Sequence, residues 1–220
     1  MPVRPRVLFC LFACVFALGL TAAAWGQPDA QIRIMQREAL ALGAPQAGEA
    51  VLDVVAVRFV DGGWQREAID AAFRQGATIL AQCGVRLARV EIVVVDAPRE
   101  FQLYSTPVSR ELARGAAFPR PTVYFVRDTL NQPAFDAEAI GRSNSGSRPE
   151  LVNTIWVTQG TPDLGIALAH ELAHLLMDSG THTEAAGNLM RADTAPANTH
   201  LDAGQCARML RSGRDGGLLR

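Results

Sequence analysis

The 220-residue chain is 49% hydrophobic and 20% charged, the proportions of one ordinary globular domain rather than of a disordered or fibrous protein. Its 21 basic residues stand against 22 acidic ones, so no polybasic surface argues for nucleic acid or anionic lipid as a partner. All of the basic residues are arginine, and the absence of lysine excludes mechanisms that need one, such as a Schiff base or a phosphate-binding loop.

Arg4 and Arg6 precede an apolar run over residues 7–20, which small residues suited to signal peptidase follow. Residues 1–26 are therefore expected to be a signal peptide, 27–48 an N-terminal arm or short propeptide, and 49–220 the functional domain. The apolar run is nearly long enough to span a bilayer, so an uncleaved anchor is the alternative. Either way the domain is exported, to a periplasmic or extracellular location, without stable membrane association once the signal is cleaved. Cys10 and Cys14 leave with the signal, and the remaining Cys83 and Cys206 are expected to pair as a disulfide in an oxidising compartment.

Within the arm, residues 32–42 read as an amphipathic helix. The β-branched, apolar run over 51–60 predicts a buried strand ending at Asp61-Gly62-Gly63. Residues 64–83 carry a helical stripe of Ala68, Ile69, Ala72, Phe73, Ala77 and Leu80, closed by Gly84. A second strand is expected over 85–95, an irregular stretch over 98–121, and a short strand over 122–126. The Pro-, Gly-, Ser- and Asn-rich segment 131–150 reads as loop with one edge strand near 139–142, and 153–158 as another strand. This order indicates an α/β or α+β sheet domain without internal repeats.

A helix follows, with Thr161 suited to cap it, Pro162 to its first position and Gly180 to its end. It contains His170-Glu171-Leu172-Ala173-His174. Histidines four apart project from one helical face a turn apart, where both imidazoles can hold one metal ion, and Glu171 sits beside them. Leu168, Leu172 and Leu175 form the apolar ridge, so the histidines point away from the main core contact. A third ligand is needed. His182 is the nearest candidate, brought back over the metal if Gly180 takes a left-handed conformation. Glu184 is its main rival, and Asp178 lies one helical turn beyond His174. His200, near the start of a final helix over 202–210, is read as a surface or capping-region residue.

These residues resemble the zincin metallopeptidases, and within them the metzincins. The metzincin motif is H-E-x-x-H-x-x-G-x-x-H followed by a methionine turn. His170, Glu171 and His174 match its first part, and Gly187-Asn188-Leu189-Met190 looks like the turn. Met177 stands at the motif's glycine position and Gly180 at its third histidine, so His182 comes two residues late. The resemblance implies an α+β fold: a mixed twisted sheet with a helix after the first strand, an active-site helix and a C-terminal helix. It implies zinc held by His170, His174 and His182, with Glu171 as general base for hydrolysis of a peptide or protein substrate. Met190 would pack beneath the histidines. Tyr104 and Tyr124 are considered as donors to an oxyanion, though the sequence does not place them near the metal. A non-catalytic zinc-bound interaction module is the alternative of a different class.

Overall fold

The computed structural model describes residues 32–220, so the expected signal segment, the alternative anchor and the first residues of the arm lie outside the described residues. Eight strands and four helices follow in chain order: β1 (Arg33–Ala41), β2 (Ala50–Phe59), α1 (Arg66–Leu80), β3 (Val85–Asp96), β4 (Leu103–Tyr104), α2 (Thr106–Ala116), β5 (Thr122–Phe125), β6 (Asp128–Thr129), β7 (Ala137–Ile140), β8 (Thr154–Val157), α3 (Leu164–Met177) and α4 (Ala203–Asp215). Six strands form one sheet in the order β1-β3-β2-β5-β8-β7, and β4 pairs with β6 separately. The four central strands are mutually parallel, whereas β1 and β7 run antiparallel at the two edges. This is the expected α+β architecture.

Alternation along the strands divides the core. Leu52, Val54 and Ala56 of β2, with Val123, Phe125, Ile155 and Val157, face one side. There they pack with Ile69 and Phe73 of α1, Leu168 and Leu172 of α3, and Met209 of α4. Val55 and Val57, with Tyr124, Trp156 and Tyr104, face the other side, where Leu112 and Ala113 of α2 cover them. The helices α1 and α3 approach closely at Gly165, where an added Cβ would stand 2.7 Å from the Cβ of Gln75. Cys83, in the turn after α1, is disulfide-bonded to Cys206 in the first turn of α4. Among the described residues, no helix is long and apolar enough to cross a membrane.

Five local expectations differ from the structure. Residues 33–41 form an edge strand and not a helix, pairing with β3 from Arg33↔Asp96 to Ala41↔Arg89. The stretch 98–121, expected to be irregular, contains α2. The edge strand expected near 139–142 lies two residues earlier, at β7. Around α3, Thr161 does not cap: its hydroxyl donates to the carbonyls of Asp136 and Thr158, and Asp163 is the N-cap. The helix closes at Asp178, left-handed at φ 49°, and not at Gly180. Asp is among the few non-glycine residues that visit this region, and here its carboxylate also accepts the backbone N–H of Ser143, 35 residues earlier in the chain, at 2.8 Å.

Candidate metal centre

From Gly165 to Met177 every residue of α3 is buried. The helix is therefore enclosed on all sides, with its leucine ridge in the core and its histidine face against the residues that follow it. His170 is 3% exposed, His174 8% and Glu171 9%. His182 returns to this face from the segment after Asp178 and stands exposed at its mouth.

The three imidazoles converge. His182 Nε2 lies 3.1 Å from His174 Nε2 and 3.3 Å from His170 Nε2. Among the described residues, His170, His174 and His182 form the one group of three or more potential ligands close enough to share an ion. The other side of each helical ring is committed: His170 Nδ1 meets the carbonyl of Leu189 at 2.7 Å, and His174 Nδ1 meets that of Ser179 at 2.6 Å. A carbonyl only accepts, so Nδ1 carries the proton and Nε2 of the neutral ring presents a lone pair. Burial keeps both rings neutral, lowering His170 and bringing His174 down to about 4, with the neighbouring His170 adding to the shift at His174.

Lone pairs facing one another across little more than 3 Å repel, and a cation between them removes the repulsion. The two separations from His182 are close to those of zinc ligands, because a tetrahedron with arms of about 2.0–2.1 Å has edges of about 3.3–3.4 Å, and all three ligand atoms lie within 4.8 Å of one another. The two rivals for third ligand are placed elsewhere. Asp178 binds Ser143 and faces Arg142 at 3.5 Å, and the Glu184 side chain is 94% exposed, 3.7 Å from Arg191. His200 joins the centre only through its backbone, which pairs with Gly187 and Leu189.

Glu171 lines the same cleft, a space of about 290 Å³ that Ala137, Glu138 and Ala139 of β7 also line. Desolvation raises its carboxyl to about 8, opposed by a hydrogen bond from the backbone of Ala139 and assisted by the charge of Glu138. A cation among the imidazoles would draw the group back toward its ionised form. A second space of about 290 Å³ also adjoins His170 and Glu171, bounded by Ala167, Pro162 and Ala192. Tyr104 and Tyr124 are buried in the cluster on the far face of the sheet and line neither space. Met190 is buried in the core cluster that contains α3, and Gly187 opens its turn at φ 72°.

The edge strand expected near 139–142 supplies part of the cleft wall, and the loop that follows it supplies more. Ser143 and Asn144, after β7, line the cleft, and Asn144 Nδ2 donates to the carbonyl of Ala139 at 3.1 Å. The Gly-Arg-Ser-Asn-Ser run marked a loop, but only tertiary structure sets it beside α3.

The fold is also that of a known structure, metalloproteinase-II from Bacteroides fragilis, to which the chain is similar with a TM-score of 0.50 and 20% sequence identity. The similarity covers 80% of this chain and 57% of that protein, so the chain spans little more than half its length. No protein-family model and no curated protein sequence matches the chain.

Proposed function

We propose that the chain is an exported zinc-dependent metallopeptidase that hydrolyses peptide bonds in peptide or protein substrates. The observation that carries this reading is the convergence of three imidazole Nε2 atoms, two of them on rings whose Nδ1 atoms are engaged by carbonyls. Two independent features support it: the metalloproteinase fold, and Glu171 buried in the same cleft. His170, His174 and His182 would hold zinc, which would supply a Lewis acid to acidify water and polarise a carbonyl. Glu171 takes the proton from the attacking water and returns it to the leaving amine. The antiparallel edge strand β7 offers a substrate backbone a surface to pair with along the cleft. The Cys83–Cys206 bridge suits the oxidising compartment that export would provide.

The purified mature domain is expected to carry one zinc per chain and to cleave an unstructured protein, with loss of cleavage on chelation and recovery on zinc addition. Zinc-loaded protein inert on a broad substrate panel would instead favour a non-catalytic zinc-bound module. The ligand set has its own test. His182→Ala is expected to release zinc far more readily than His200→Ala, measured by transfer to a chromogenic chelator; the reverse order would remove His182 from the site.

A further inference from the structure

The turn that closes the metal centre is itself held by a buried amide pair. Asn188 is 2% exposed. Its Oδ1 accepts the backbone N–H of Met190 at 2.8 Å and Nε2–H of Gln205 at 3.0 Å, while its Nδ2 donates to Gln205 Oε1 at 3.0 Å. Neither amide can be turned over. The N–H of Met190 demands an oxygen from Asn188, and the N–H of Asp202, 2.9 Å from Gln205 Oε1, demands one from Gln205. Backbone bonds brace the turn as well, from Leu189 N–H to the carbonyl of His200 at 2.7 Å and from His200 N–H to that of Gly187 at 2.9 Å.

One carbonyl of this turn meets a histidine ring and a second meets the backbone beside another. That of Leu189 accepts from His170 Nδ1, and that of Met190 accepts from the backbone N–H of Thr183 at 2.9 Å, next to His182. The anchor on the other side is firm. Gln205 lies in the first turn of α4, where it completes a capping box with Asp202, and the next residue, Cys206, is bonded to Cys83.

We infer that Asn188 and Gln205 are positioning residues that tie the disulfide-anchored start of α4 to the 187–190 turn and so hold His170 and His182 in ligating geometry. The inference rests on the zinc reading of the triad. Groups that orient metal ligands from behind typically contribute 10–100-fold to metal affinity, and that is the effect expected here.

Zinc transfer from the loaded mature protein to a chelator measures it. Gln205→Ala and Asn188→Ala are each expected to accelerate release by about 10–100-fold, and the double variant to be no worse than the more severe single one, because both remove one connection. Asp202→Ala provides the control: it removes the α4 cap while leaving the amide pair. It is expected to lower the Tm of the metal-free protein about as much as Gln205→Ala does, yet to release zinc at nearly the wild-type rate. Gln205→Met, which keeps the apolar stem, repeats the test if the alanine variant folds poorly. Zinc release that follows Tm equally in all variants, Asp202→Ala included, would overturn the inference while leaving the zinc reading intact. Wild-type protein that fails to bind zinc at all would overturn both.

Discussion

Glu171→Gln is expected to retain zinc and fold while losing peptide hydrolysis by roughly two or more orders of magnitude, the range of a lost general acid–base. The substitution keeps shape and an oxygen for the N–H of Ala139, and removes only the group that can carry a proton. Stability gives an independent readout. Because burial raises the carboxyl from 4.5 to about 8, the folded metal-free chain binds a proton that the unfolded chain loses between those values. Its stabilising contribution is complete below pH 4.5 and declines as pH rises toward 8, by up to roughly 4–5 kcal/mol. Glutamine does not titrate. The metal-free Gln variant should therefore gain stability relative to wild type as pH is raised from 5 to 8, followed by thermal unfolding at each pH. Equal cleavage by both proteins would sink the assigned role of Glu171.

The four parallel strands of the sheet, α1, α3 and α4 were legible from local pattern. Buried parallel strands read as continuous β-branched runs, and the α1 stripe repeats with helical period. The His170–His174 pair is local too, since spacing of four on a helix needs no tertiary information. Strand β1 failed for a physical reason: it is an edge strand exposed along most of its length, so no burial imposes alternation, and its Arg, Gln, Glu, Ala and Leu residues favour helix when read alone. Pairing with the exposed backbone edge of β3 outweighs that preference. Helix α2 buries only Ser109, Leu112 and Ala113, a stripe too narrow to stand out, although Pro107 in its first turn was an available start signal. The Asn188–Gln205 pair depends on side chains 17 residues apart meeting in a buried setting, which no local pattern announces.

Loss of the Cys83–Cys206 bridge is the other large effect expected. The bridge spans 123 residues of sequence, so it removes much of the freedom of the unfolded chain, and loop-closure entropy for such a span corresponds to about 4–5 kcal/mol. Against a typical domain stability of about 5–15 kcal/mol, that is roughly a quarter or more of the whole. The bonded residues also join the end of α1 to the start of α4, two elements that pack with α3 in one cluster, so the folded state loses a contact between helices that frame the histidines. A Cys83→Ala, Cys206→Ala double variant is expected to unfold at markedly lower urea concentration than the oxidised wild type, by about 3–5 kcal/mol on linear extrapolation. Intact mass without reductant should meanwhile show no alkylatable thiol in the mature wild-type domain. A shift below about 1 kcal/mol would mean that the unfolded chain is already restricted in the absence of the bridge, and that apolar packing of α1, α3 and α4 holds the helices together without it.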